Sequence, residues 1–260
     1  MPKRALFQTL LLAATLLPGS GAPQAAEPSA IESDLVVTVH GEERHASLDE
    51  ALKLLNIPSA SIALIDEGRI AFARAYGKDA TPETLYQAAS LSKFVAAIGA
   101  MRLVENGTIK LDEDVNDTLT TWKVRGNSFD ATRKVTLRGL LSMTGGIGVP
   151  GFLGYEAGAP LPTLTQILEG APPANSPPVT VIAVPGSAYH YSGGGYEIAE
   201  ALMQDAAGTP FPQLMQDLVL GPMGMADSTF DQPPSAALAG RAASGHFGDG
   251  RELPGRFRIC

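Results

Sequence analysis

Ser90 and Lys93 stand three residues apart in Gln87-Ala88-Ala89-Ser90-Leu91-Ser92-Lys93-Phe94. On an α-helix, positions i and i+3 share a face, so the hydroxyl and the amine can share a hydrogen bond. A serine at a helix start also lies among unpaired backbone N–H groups, at the positive end of the helix dipole. An amine that takes the hydroxyl proton turns such a serine into a nucleophile. The plainer alternative is that Ser90 only caps the helix and Lys93 is a solvated helix residue. Ser92 is a poorer candidate, because Val95 lies three residues on. Tyr191 is a further candidate, in Tyr189-His190-Tyr191-Ser192-Gly193. A phenol can act as general acid or base where a cation lowers its pKa from about 10, and Lys93 could supply that charge. Its alternative is a core aromatic that leads into the following helix.

These residues need elements to hold them. The pattern predicts a helix from residue 90 to about 105, with Phe94, Ala97, Ile98, Met101 and Val104 as its buried face. Asn106-Gly107 closes it. Upstream, residues 47–55 have helical periodicity, with Ser47 as N-cap and Leu48, Ala51, Leu52 and Leu55 on one face. The apolar runs 61–65 and 69–76 flank Asp66-Glu67-Gly68 and predict a β-hairpin. A lone hairpin is marginal in water, so it calls for further strands or a covering helix. Residues 108–115 read as a short extended crossing. Further helices are expected over 136–143, capped by Thr136, and over 163–169, 196–207 and 211–220. The pattern thus gives a mostly helical middle preceded by one hairpin.

Composition narrows the partners. The chain has 260 residues, 45% of them hydrophobic, enough to bury one large core or two lobes. A net charge of -8, a pI near 5.0 and scattered basic residues argue against nucleic acid. Lys3 and Arg4, the apolar run 5–17 and the small residues through Ala26 predict a secretory signal peptide over 1–26. The alternative is an uncleaved anchor, although that run is short for a bilayer. A secreted or periplasmic domain over 27–260 follows, with no membrane contact beyond the signal. The only cysteine is Cys260, so no intrachain disulfide can form. His40, His45, His190 and His246 show no ligand spacing on a helix, so no metal is expected. Residues 146–151 fit Gly-x-Gly-x-x-Gly, but they follow a helix and contain Pro150, which speaks against a dinucleotide. Gly193-Gly194-Gly195 reads as a tight loop before a helix, and Trp122 as a packing residue.

Taken in order, several blocks resemble the serine β-lactamase and penicillin-binding superfamily. The likeness is to its class C-like branch, which includes D-alanyl-D-alanine carboxypeptidases and esterases. The blocks are the hairpin at 62–77, the Ser90-Leu91-Ser92-Lys93 stretch and residues 103–112. They continue in residues 135–146, in Pro185-Gly186 leading to Tyr191-Ser192-Gly193-Gly194-Gly195-Tyr196, and in Pro222-Met223-Gly224-Met225 with Ser228-Thr229-Phe230. Their order and spacing are far more specific than any one of them. The resemblance implies an α/β (α+β) fold of β-lactamase/transpeptidase-like type, an antiparallel sheet beside a larger helical region with the site between them, and catalytic roles for Ser90, Lys93 and Tyr191. Ser90 would be acylated, and Lys93 would take its proton. Tyr191 would assist proton transfer to the leaving group and later activate water. The Ser90 N–H would be half of an oxyanion hole.

Three departures qualify it. Gly193 stands where the family's Tyr-x-Asn motif has its asparagine, which speaks against β-lactam turnover. Met143 stands where many relatives carry histidine, a packing change. The family's third motif, Lys-Thr-Gly or His-x-Gly on a strand, has no counterpart, nor have the closing strands and helix. His246-Phe247-Gly248 matches as a string, but it precedes an Asp249-Gly250 turn and no apolar strand follows. The resemblance therefore implies the front part of a longer protein, with the C-terminal strands of the sheet absent. The expected function is an exported serine hydrolase without a cofactor. It would act through an acyl-serine on a small-molecule or peptide substrate, an ester or amide. The alternatives are a non-catalytic binder of penicillin or peptidoglycan peptides, and an inactive fragment.

Overall fold

The structure, a computed structural model, describes residues 32–126, 133–156 and 158–253. The expected signal peptide and Cys260 lie outside the described residues. The fold begins with a hairpin that the sequence reading missed. Strands β1 (Leu35–Val39) and β2 (Glu42–Ala46) pair antiparallel around His40-Gly41, both at positive φ. The polar Glu-Glu-Arg-His run of β2 hides its strand character. Helix α1 (Leu48–Leu54) follows from Ser47 as expected. The Ser47 side chain accepts from the Glu50 N–H, and the Glu50 carboxylate accepts from the Ser47 N–H, which satisfies two end donors reciprocally.

The expected hairpin is present as β3 (Ser59–Asp66) and β4 (Arg69–Gly77), with a register shift at Leu64/Ile65. Its turn places Glu67 and Gly68 at φ 47° and 74°, the sense that matches strand twist. Among the described residues the two hairpins form separate two-stranded sheets.

Helices α2 (Leu91–Glu105), α3 (Val115–Thr118), α4 (Leu137–Leu141), α5 (Leu164–Glu169) and α6 (Gly193–Ala207) come next, then α7 (Phe211–Met215), which runs into a π turn over Gln216–Leu220. Helix α8 (Ala236–Arg241) is last. The stretch 108–115 is not the extended crossing expected. Apart from one isolated bridge between Asp114 and Thr136 it is built of turns, and the Asp114 carboxylate caps α3. The core gathers around α6, where Ile198, Leu202 and Met203 meet Leu119, Leu137, Leu140 and Met215. Trp122 is buried in the same cluster.

Helix α2 corrects the expected burial. Phe94 is 72% exposed and Met101 44%, and Leu91 beside them is 75% exposed. The buried residues are Gly99, Ala100 and Leu103. A β-carbon on Gly99 would come within 2.6 Å of Met215 Sδ, so a small residue there sets how closely α2 approaches the end of α7. The helix is apolar on nearly every side, and periodicity alone does not choose a face for such a helix.

Candidate active site

The chain is steered into Ser90 from far away. Leu85 N–H donates to the Arg241 carbonyl at 3.0 Å, and Ala243 N–H donates to the Leu85 carbonyl at 2.8 Å. The Arg241 guanidinium donates to the Glu83 carbonyl at 2.9 Å and to the Asp227 carboxylate at 2.6 Å. Ala89 then sits at φ 46°, a sparsely populated conformation for a residue with a β-carbon. It delivers Ser90 to the start of α2.

Ser90 holds the N-cap position but caps nothing. Its backbone is helical and its side chain bonds no helix N–H. Its Oγ accepts from Lys93 Nζ at 3.1 Å and from the Tyr191 hydroxyl at 2.7 Å. The Ser90 N–H has no acceptor among the described residues. Lys93 Nζ also stands 5.4 Å from the Tyr191 ring centre and 5.8 Å from that of Tyr196, within cation–π range. Tyr191 is 43% exposed, so it is no core aromatic. Its hydroxyl is held below the ordinary phenol value, chiefly by the hydrogen bond with Ser90. Burial pushes the other way, and the Lys93 charge adds to the lowering. The three candidate residues thus meet at one oxygen.

A second set of bonds fixes Tyr191. His190 N–H donates to the Met143 carbonyl at 2.8 Å, Gly193 N–H to Pro150 at 3.1 Å and Gly194 N–H to Val149 at 2.9 Å. The buried Ser192 hydroxyl donates to the Gly148 carbonyl at 2.9 Å and accepts from Gly195 N–H at 2.8 Å. That cap starts α6 at Gly193, three residues before the expected Tyr196. The glycines are a packing requirement. A β-carbon on Gly194 would lie 2.8 Å from the Gly148 oxygen, and one on Gly193 would lie 3.2 Å from both Gly151 Cα and the Pro150 oxygen. Met143 sits at φ 59°, and its sulfur accepts from the Tyr189 hydroxyl at 3.3 Å. His246 makes an isolated antiparallel bridge with Glu252 around a turn at Phe247–Gly250, in which the Gly250 N–H donates to the Phe247 carbonyl at 2.9 Å.

Two residues escaped the sequence reading. Glu197 and Glu200 lie on α6, both partly buried. Burial pushes the Glu197 carboxyl well up, while the nearby Lys93 charge pulls it back. Burial also lifts Glu200, and the Glu197 charge lifts it further. The available signal was a pair of carboxyls at i and i+3 within residues 193–203, which are otherwise small, aromatic or apolar.

A serine hydroxyl bonded to an amine and a phenol has a built-in route for its proton. Comparison with known proteins gives that chemistry a setting. A sequence model of the family described as Beta-lactamase matches residues 46–258. The chain belongs to the beta-lactamase family. Among relatives of this beta-lactamase-family chain, penicillin-binding protein 4 of Amycolatopsis lactamdurans is 27% identical over 202 residues, 75% of this chain and 50% of that protein. Esterase EstB of Burkholderia gladioli is 27% identical over 231 residues, 82% of this chain and 56% of the esterase. The carboxypeptidase/endopeptidase AmpH of Escherichia coli is 26% identical over 246 residues, 90% and 59%. The chain thus spans half to three fifths of the length of these relatives. The octameric penicillin-binding protein homologue from Pyrococcus abyssi superposes with a TM-score of 0.64 at 26% identity, covering 80% of this chain and 48% of that one. The hydrolase EstCE1 superposes at 0.63 with 22% identity, covering 79% and 56%, a likeness of fold. The fold is therefore the β-lactamase/transpeptidase-like one, and the relatives include an esterase and a carboxypeptidase.

Proposed function

We propose that the chain is an exported serine hydrolase that acts through an acyl-serine on Ser90, on an ester or amide. The observation that carries this reading is the double hydrogen bond at Ser90 Oγ, from Lys93 at 3.1 Å and Tyr191 at 2.7 Å. Ser90 Oγ attacks the substrate carbonyl carbon as its proton passes into the Lys93–Tyr191 pair. The Ser90 N–H, without an acceptor among the described residues, would donate to the developing oxyanion. The bond to the alcohol or amine breaks, and that leaving group takes the proton from Tyr191. Water then attacks the acyl-serine carbonyl, its proton passing back through Tyr191 to Ser90 Oγ, and the acid departs. Relatives named esterase and carboxypeptidase support this chemistry. Export rests on Lys3, Arg4 and the apolar run that follows.

The test is to incubate the chain with a chromogenic ester and with a fluorescent penicillin, then weigh the peptide that carries Ser90. Acyl mass on Ser90, with turnover falling by about a thousandfold or more in Ser90→Ala, is expected. Turnover that survives Ser90→Ala refutes the reading. Reversible penicillin binding that survives without turnover makes the chain a binder instead. N-terminal sequencing of exported protein is expected to begin at Glu27, and retention of the intact N-terminus inside the cell refutes export.

A further inference from the structure

We propose that Phe152 is a specificity-determining residue, the centre of an apolar wall beside Ser90 that receives the apolar acyl group of an ester. This rests on the serine hydrolase reading and names its substrate class. Ser192 is extended, at φ −141° and ψ 110°, so residues 191 and 193 project to the same side of the chain. From that side the Tyr191 hydroxyl reaches Ser90. Residue 193 is glycine, and the edge of the Phe152 ring (Cε2) stands 3.3 Å from where its β-carbon would be. An aromatic ring therefore borders the site where a side chain at 193 would begin. The backbone bonds from Gly193 to Pro150 and from Gly194 to Val149 pin this loop in place.

The wall is largely apolar. Residues 149–155 read Val-Pro-Gly-Phe-Leu-Gly-Tyr, without a charge or a side-chain amide, and the one side-chain hydroxyl, that of Tyr155, accepts from the Asn175 N–H at 3.1 Å. Phe152 packs its inner side against the core and is half-buried, while the neighbouring Leu153 is 73% exposed. The side chains of Phe152 and Leu153 offer no hydrogen-bond partner to a peptide amide, whose desolvation there would go uncompensated. It does reward each methylene laid against it. The acyl group is the part of the substrate that stays on Ser90 Oγ after the alcohol has left, so it is the part assigned to the wall.

The test separates this from the hydrolase reading by measuring binding without reaction. In Ser90→Ala, p-nitrophenyl butyrate is expected to bind about tenfold more tightly than p-nitrophenyl acetate, the lower end of what added methylenes give in an apolar pocket. Adding Phe152→Gln is expected to bring the ratio to about one, whereas adding Phe152→Leu, which keeps the wall apolar, retains it. Circular dichroism melts verify that each variant is folded. No butyrate preference in Ser90→Ala, or an unchanged preference with Phe152→Gln, overturns the wall. Turnover by the parent chain is scored apart. A binding preference without hydrolysis overturns the hydrolase reading and leaves the wall standing.

Discussion

Replacing Glu197 and Glu200 together with glutamine is expected to stabilise the chain at pH 8 and to leave it nearly unchanged at pH 4. Burial lifts Glu197 from its ordinary 4.5 to about 7 against the pull of Lys93, and burial with the Glu197 charge lifts Glu200 from 4.5 to about 8. In the unfolded chain both carboxyls ionise near 4.5. The folded chain keeps their protons until pH 7 to 8. Across that window the folded state binds more protons than the unfolded one, so its stability falls as pH rises and levels off above about 8. Raising one carboxyl from 4.5 to about 7 corresponds to about 3 kcal/mol at 1.36 kcal/mol per pH unit. The second does not add in full, because part of its rise is the charge of the first. The assay is urea unfolding of the parent chain and of Glu197→Gln/Glu200→Gln at pH 4, 6, 7 and 8. The variant is expected to be more stable by at least about 3 kcal/mol at pH 8, with the difference shrinking to near zero at pH 4, below the unfolded value of 4.5. A difference that stays flat across these four pH values refutes the argument, because it would mean that both carboxyls ionise in the folded chain as they do in the unfolded one.

Asp205 behaves in the opposite sense. Burial pushes its carboxyl up, but the N–H groups of Thr120 at 2.6 Å and Thr121 at 3.0 Å and the Thr121 hydroxyl at 3.2 Å outweigh it and hold it below 3.8. Asp205→Ala is expected to cost about 2 kcal/mol in urea unfolding at pH 7. Its contribution is lost as pH falls from 3.8 through the lower folded value, so parent and variant should converge there. Gly194→Ala, whose β-carbon would meet the Gly148 oxygen at 2.8 Å and Val179 at 2.9 Å, is expected to lose about 2 kcal/mol in thermal melts. Ultraviolet titration, with Tyr191→Phe as the blank, is expected to show Tyr191 ionising below 10, and at higher pH once Ser90→Ala removes the hydrogen bond.

What the sequence made legible was local. Ser47 and Thr136 announce their helices because a cap is a short-range bond between neighbours, and both accept the expected N–H. The β3–β4 hairpin is legible for the same reason, since its turn residues adopt positive φ. Ser90 and Lys93 are close by helix geometry alone, whereas Tyr191 joins them across 101 residues. No periodicity reports such a contact, and only the order of the motif blocks pointed to it. What the sequence hid was set by tertiary packing. Gly193-Gly194-Gly195 has poor helix propensity, yet it forms the first turn of α6 because the Ser192 cap and the close loop 148–151 hold it there. The apolar run of α2 offered no polar stripe to mark its outer face. Nothing in the sequence around Glu197 and Glu200 marks how deep α6 lies, so burial of their carboxyls is a tertiary fact.

That outer face bears on the chemistry at Ser90. Proton transfer between hydroxyl, amine and phenol is strengthened when water is excluded, because hydrogen bonds and charges act more strongly at low dielectric. Here Tyr191 is 43% exposed, and the two side chains that flank Lys93 and Ser90 on the outer turn of α2, Leu91 and Phe94, are 75% and 72% exposed. The described residues hold the trio in geometry but leave it wet. On the proposed hydrolase reading, an apolar acyl group laid against Phe152 would remove water from that same place. Substrate selection and nucleophile activation would then be two faces of one desolvation, because the acyl chain that binds best would also leave the Lys93–Ser90–Tyr191 contacts in the driest surroundings.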